Sequence, residues 1–475
     1  MVGAMNTNKK VQIDVGGTLF TTTLDTLQSA GKDSKLYRQA WGRGGGGGGG
    51  DPPAEEEDCF FDRDPETFKV LLNLLRTGKV NTAGFDGYTR DKVIEEATYY
   101  GLLEKLKNAM APAQLNGLDL QKAKAVIPNG IDIPTALAAG GSAATEDGSL
   151  WVAHGSKITV YDWALRKQKT TLTEFSSIEI LNRMSDTLVA AGASDMPGLH
   201  IYDPINGMHK KSVIWTDAND PRVYNPVVRA IASNDSSVFA SFESGQKLDN
   251  ALAIIDKTTL QITREFGRQN GATAHAKAST KLQWLASKSL LLVASVQGGS
   301  FGYAGYMRLW DIRSEKLVWD WKEPNFQSAR AVDHEMFSDM TADEGLQAIF
   351  KVSITSGSVS MADVRHLDSK DPWIPLLDTN PVLEKAPGGA DNKLCTYNKQ
   401  LYLSRGANVE VWSEIPLAES FKDPDEKEYW DTSFRRNLLE NSRHGAQEVT
   451  QMVAAADRLF ITRKNLQGVE VWETR

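Results

Sequence analysis

Apolar and polar residues alternate at the start of the chain: Val11, Ile13 and Val15 in VQIDV, a break at Gly16-Gly17, then β-branched and aromatic residues in TLFTTT. Strand side chains point to opposite faces with a period of two, so this pattern predicts a strand, a tight turn and a second strand. In DSKLYRQAW the period lengthens, and Asp33 or Ser34 is placed to cap a short helix carrying Leu36, Tyr37 and Trp41. After a short strand through Phe60 and Phe61 comes a stronger helical pattern, with Phe68, Leu71, Leu72 and Leu75 at i, i+3, i+4 and i+7. Asp64 can accept from the free N–H groups of its first turn, Pro65 suits the first helical position, and Gly78 suits a left-handed end. Val70 and Leu74 widen the stripe, so this helix must be buried within a domain. YTRDKVIEEATYYGLLEKL adds one or two helices, with Val93, Ile94, Ala97, Tyr100, Leu103 and Leu106 facing inward.

From residue 109 the helical period fades into small and polar residues, read as a linker over 109–117 that becomes a strand. Beyond it one unit recurs: an apolar strand, a turn, and a second strand ending in an aromatic or aliphatic residue and often Asp. Examples are SLWVAHGSKITVYDW at 149–163, LLLVASVQGGSFGYAGYMRLWD at 290–311 and RLFITRKNLQGVEVWET at 458–474. Seven such units end at Asp162, Asp203, Asp256, Asp311, Asp363, Ser413 and Glu473, at spacings of 41, 53, 55, 52, 50 and 60 residues. Strand-rich repeats of this period indicate a β-propeller, because a single blade cannot bury both of its faces. The last unit stops after its third strand, and LDLQKAKAVIP at 118–128 is the segment expected to close the ring. The interruption at 414–445 carries Phe421, Tyr429, Trp430 and Phe434, too many aromatics for a plain linker, and reads as a packed cap or a partner-binding element.

Seven consecutive glycines at 44–50 suggest a domain boundary, yet the blocks on either side belong together. VQIDVGGTLFTTTLDTL, FFDRDPETFKVLLNLLRTGKV and EATYYGLLEKL, in that order over residues 9–108, resemble the BTB/POZ domain of the potassium-channel tetramerisation type. The glycine tract is then an insertion at 43–57 inside that α/β fold, and the domain ends near residue 112. YMRLWDIRSEKLVWDW, with Trp310-Asp311, resembles a WD repeat, and VYDW, IYDP and VWSE are degenerate forms of it. The expected fold is therefore multidomain, an N-terminal α/β BTB/POZ domain followed by an all-β seven-bladed WD-repeat-like propeller over 118–475.

Composition narrows the function classes. Among 475 residues the longest apolar runs fall short of a membrane span, and the N-terminus lacks a signal core, so neither membrane insertion nor export is expected. Two distant cysteines, Cys59 and Cys395, argue for a reducing compartment, the cytoplasm or the nucleus with it. A net charge of −8 gives no field for nucleic acid. GGSFG at 298–302 matches a nucleophile motif at Ser300, but it lies between two propeller strands rather than at a strand-to-helix elbow. The seven histidines, 154, 200, 209, 275, 334, 366 and 444, show no metal-site spacing. No catalytic residue, cofactor or metal is expected, and protein partners are.

The resemblance implies more. Soluble members of the BTB/POZ family assemble into homo-oligomers and act as substrate adaptors that dock a cullin of the cullin-3 type. The resemblance places Asp62, Arg63 and Asp64 near the contact between protomers, although Asp64 also serves as a helix cap. It makes Trp41, Asp58, Phe60 and Tyr99 candidates for the cullin-facing surface, which the insertion lengthens. The expected function is a non-catalytic adaptor of a cullin-3 RING ubiquitin ligase that holds an unknown protein substrate on its propeller. An oligomeric scaffold without ubiquitin chemistry is the alternative.

Overall fold

The structure is a computed structural model that describes residues 10–41, 59–80, 87–110, 115–128, 130–140, 148–217, 219–221, 223–245, 249–269, 278–295, 305–323, 336–354, 356–369, 371–376, 391–414, 434–440 and 447–474. The chain divides into two compact units, 1–112 and 113–475.

The first unit contains β1 (Lys10–Val15), β2 (Thr18–Thr23), α1 (Leu24–Ser29), α2 (Lys35–Trp41), β3 (Cys59–Phe61), α3 (Pro65–Thr77), α4 (Gly87–Tyr100) and α5 (Leu103–Met110). The strand order is β2-β1-β3, with β1 and β2 antiparallel and β3 parallel to β1. Gly16 and Gly17 form the two-residue turn with φ of +55° and +84°. A Cβ on Gly16 would meet the Arg63 carbonyl oxygen at 2.4 Å, so that position admits only glycine. Ile13, Val15 and Phe61 from the sheet, and Phe68, Leu71, Ile94 and Tyr100 from the helices, share the buried core. Phe68 packs edge-on against Phe20 and tilted against Tyr100, with ring centroids 5.1 Å apart in each pair.

Helix caps follow the sequence signals. Ser34 caps α2 by accepting the Tyr37 N–H at 3.1 Å, and Asp64 caps α3 by accepting from the Glu66 N–H and the Thr67 hydroxyl. Gly78 ends α3 at φ +71°. Helix α1 was not legible: TTLDTL is rich in β-branched residues, yet Thr23 caps a helix there by accepting the Thr26 N–H at 3.3 Å. The last helical segment is two helices, because the chain turns at Gly101, with φ +73°, where a Cβ would come to 3.1 Å from the Ser34 Cα.

The second unit contains seven four-stranded sheets among the described residues. Blades 1 to 6 run in sequence order over 134–172, 180–213, 227–269, 281–322, 337–376 and 394–440, each antiparallel and innermost strand first. Blade 7 takes three strands from 449–474 and its outermost from Leu120–Val126, which pairs antiparallel with Val469–Thr474. Innermost strands of neighbouring blades touch all the way round, blade 7 meeting blade 1. The repeated units of the sequence are the second and third strands of each blade.

The aspartates that close those units hold the turn into the fourth strand. Asp162, Asp203, Asp256, Asp311 and Asp363 each accept a backbone N–H from two to four residues ahead, at 2.7 to 3.0 Å. Residues 115–117, expected to be linker, are built into the ring. Leu115 is fully buried among blades 6 and 7, the Gly117 N–H donates to Gln400, and a Cβ on Gly117 would collide with Val411 at 2.4 Å. Phe434 needs a correction: it opens the outermost strand of blade 6, is 2% exposed and packs on Phe350, so it belongs to the core rather than to a partner-binding loop. Phe421, Tyr429, Trp430, Asp58, the 43–57 insertion and Ser300 lie outside the described residues.

Candidate interaction surfaces

In the first unit the helices cover one face of the sheet, and the other face presents a row across three strands, Leu19, Asp14 and Phe60 in register. Leu19 and Phe60 are each 56% exposed on the two strands that flank β1, an uncommon placement for two large apolar side chains on one sheet face. Just past β3, Asp62 is exposed, and Arg63 turns back into its own domain. The Arg63 guanidinium pairs with Glu96 at 2.6 Å and lies over the Tyr99 ring at 4.5 Å. The Lys35 ammonium sits 3.5 Å from the same ring. Tyr99 is thus covered by two cations from its own unit, a favourable arrangement for an aromatic quadrupole. Beneath it the Tyr100 hydroxyl is buried without a hydrogen-bond partner, and burial raises its pKa above the ordinary tyrosine range. Trp41 is the last residue of α2. The hydrogen bond from the Thr67 hydroxyl, first among several, holds the Asp64 carboxyl below its usual range.

In the propeller a channel of about 760 Å³ is lined by innermost strands of the blades, with Leu137, Leu181, Ile231, Leu282, Asp339 and Gln451 among its walls. Most of its charges are paired: Arg229 with Glu243 at 2.7 Å, Lys393 with Asp391 at 2.7 Å, and Lys281 with Asp339, while Glu179 accepts from the Ser194 N–H and hydroxyl. Gln451 stitches blade 7 to blade 1 through Thr135 and Leu137, and Gln283 stitches blade 4 to blade 5 through both backbone groups of Ala342. The described histidines are structural or exposed: His154 is fully buried, bonds Thr159 at 2.7 Å, and is shifted toward the neutral form by burial. No group of three metal-ligating side chains occurs among the described residues.

Two features escaped sequence reasoning. Lys351, on the second strand of blade 5, places its ammonium 4.3 Å from the Trp321 ring and 4.5 Å from the Trp373 ring, and burial pushes its pKa down to about 8. The three residues lie on three different strands or loops, so no spacing along the chain announces the cage. The second is a one-sided distribution of lysines over the outermost strands, which becomes visible once the blade order is known.

Comparison with known proteins agrees with this architecture. Residues 11–109 match the BTB/POZ domain model, and residues 136–474 match the model described as At2g24240-like, C-terminal beta propeller. The BTB/POZ domain-containing protein At5g41330 of Arabidopsis thaliana is 35% identical over 98% of this chain and 96% of its own length. At2g24240 of the same plant is 27% identical over 98% of this chain and 97% of its own. Among solved structures, the Kuenenia stuttgartiensis hydrazine synthase covers 74% of this chain and 99% of its own with a TM-score of 0.52 at 11% identity, a likeness of fold alone. Both modules are protein-interaction domains, and their combination is that of an interaction adaptor. With a related protein aligned from end to end and both domain models in the same order, the chain belongs to the BTB/POZ domain-containing proteins that carry an At2g24240-like β-propeller.

Proposed function

We propose that the chain is a non-catalytic adaptor that brings a protein substrate to a cullin-3-type RING ubiquitin ligase. The BTB/POZ unit assembles with copies of itself and docks the cullin, and the propeller holds the substrate. The reading rests on one pairing: a BTB/POZ unit that leaves Leu19 and Phe60 exposed on one sheet face, joined in the same chain to a closed ring of seven blades. Several propellers on one oligomer raise the effective concentration for a multivalent target, which is what an adaptor gains by assembling. Ubiquitin transfer itself belongs to the partners.

The test uses the full-length protein and an N-terminal cullin-3 fragment, with binding read by interferometry and mass by light scattering. Phe60→Glu is expected to weaken cullin binding at least about tenfold while leaving the oligomer mass unchanged. A loss of oligomer mass instead would move this face to the contact between protomers. Absence of binding by the natural chain at tens of micromolar would favour the scaffold reading. One observation favours that second reading: the 43–57 insertion sits in the connection between α2 and β3. Replacing it with a short turn is expected to leave folding intact and cullin binding equal or tighter.

A further inference from the structure

The outermost strands of blades 7, 1 and 2 are neighbours around the ring and read LQKAKAV, KQKTTL and MHKKSV. Together they hold six lysines, one histidine and no carboxylate, in a chain whose net charge is −8. Lysine on an exposed edge strand discourages edge-to-edge pairing, and that accounts for a lysine here and there. It does not account for the confinement to three adjacent blades, because the outermost strands of blades 3, 4 and 6 mix Glu265, Asp320 and Glu440 with their cations.

The three strands also place their ammonium groups alike. Each sends one lysine over the turn of the next blade: Lys124 reaches the Ala164 carbonyl at 3.5 Å, Lys169 lies against Gly207, and Lys211 reaches the Thr259 carbonyl at 3.4 Å. The arc ends at blade 3, where Arg264 in the corresponding position meets a carboxylate, Glu315, at 2.9 Å. Lys122 and Lys210 do pair with Glu470 and Asp203, but those carboxylates are nearly buried while the lysines remain 43% and 36% exposed. Lys167 and Lys169 are exposed and make no ion pair among the described residues. Ile205 and Met208, 41% and 46% exposed, flank the turn that Lys169 overhangs.

We infer that this flank of blades 7, 1 and 2 docks an extended acidic segment of a protein partner, one carrying apolar residues among its carboxylates. Lys122 and Lys124, like Lys167 and Lys169, stand on either side of a β-bulge in their strand, so each strand presents two neighbouring cations along its outer edge. Six cations spread over three neighbouring strands suit an extended chain, which can reach from one strand to the next with a carboxylate at every second residue. Ile205 and Met208 supply apolar contacts that a phosphate backbone would not use, and the net negative charge opposes a long polyanion. The inference rests on the propeller being the partner-holding unit and does not depend on cullin docking.

The test titrates full-length protein into a rhodamine-labelled peptide of alternating glutamate and serine with two central leucines, followed by fluorescence polarisation. Binding is expected to weaken steeply between about 50 and about 300 mM NaCl. K167E/K169E is expected to lose affinity at least about tenfold with an unchanged melting curve and unchanged cullin binding. K167Q/K169Q, which only neutralises, serves if charge reversal harms folding and is expected to weaken binding by a smaller factor. Affinity within about twofold of the natural chain in a folded double variant, equal binding of the peptide with glutamine for glutamate, or tighter binding of a short DNA duplex would each overturn the inference.

Discussion

Lys351 shows how one side chain carries a cost that no neighbour in sequence explains. Its ammonium faces two indole rings, and Glu323, the nearest source of attraction, is committed to the N–H groups of Gly305 and Phe337. The folded state therefore holds the lysine proton less tightly than the unfolded chain, whose ordinary value is 10.5, and stability attributable to Lys351 rises as pH climbs from about 8 to 10.5. Lys351→Met is expected to be more stable than the natural chain at pH 7, by on the order of 1 to 2 kcal/mol, with the advantage shrinking toward pH 10. Denaturant titrations of both proteins across that range decide it; a difference that does not change with pH would rule out the cause given. Asp64 has the opposite sign. Its carboxyl lies below the usual range because the Thr67 hydroxyl and the first-turn N–H groups bond the charged form, so its contribution is present above about pH 4 and fades as pH falls. Asp64→Ala is expected to cost about 1 kcal/mol at pH 7 and progressively less in acid.

Among the elements, the β1–β2 turn separates two effects usually confounded in glycine. Gly17 needs its positive φ but a Cβ there meets nothing within 4 Å, whereas a Cβ on Gly16 would also collide with the Arg63 carbonyl. Gly17→Ala is expected to cost about 1 kcal/mol and Gly16→Ala clearly more, since the collision is with backbone and moves β3 away from β1. Urea midpoints of the two variants provide the comparison, and equal losses would mean the turn shifts freely. The same scale shows what was legible. Phe68, Leu71, Leu72 and Leu75 were readable because helix period and burial agree, and the unit-ending aspartates because a turn acceptor is a local requirement. Helix α1 was not, since its propensities conflict with its packing: Leu24 and Leu27 are buried whatever TTLDTL prefers. Phe434 looked like a loop aromatic because the strand it opens pairs with a partner 20 or more positions earlier in the sequence, at Glu414 and before.

At the scale of the molecule, the ring holds because both ends of the propeller unit share one blade. Leu120–Val126 supplies the outermost strand of a sheet whose other strands end at Thr474, and Leu115 and Gly117 lock the approach to it. Removing 113–126 leaves Val469–Thr474 as an unpaired edge and uncovers the Leu115 site, so the propeller is expected to lose cooperative unfolding and to aggregate. Removing 465–474 is expected to do the same, because it takes away the partner strand. Thermal melts with light scattering would show it, and a sharp, reversible transition in either truncation would mean that closure is dispensable. At this scale also belongs assembly: light scattering of the full chain should give a multiple of the 52.2 kDa protomer, and a clean monomer would remove the avidity on which the adaptor reading depends.

The sequence by itself determined what short-range physics controls. It set the identity of both domains, the seven-unit repeat, the caps of α2 and α3, the turn aspartates and the segment that closes the ring, because each depends on residues within a few positions of one another or on a fixed period. The tertiary structure alone decided which side chains meet across strands. Leu19, Asp14 and Phe60 form one row only through sheet register, Lys351 meets its two tryptophans only where blades 4 and 5 pack, and six lysines gather on one flank only because ring closure sets the first strand of the propeller beside blade 1. Those juxtapositions depend on register and closure, which bring together residues too far apart along the chain for any local pattern to record.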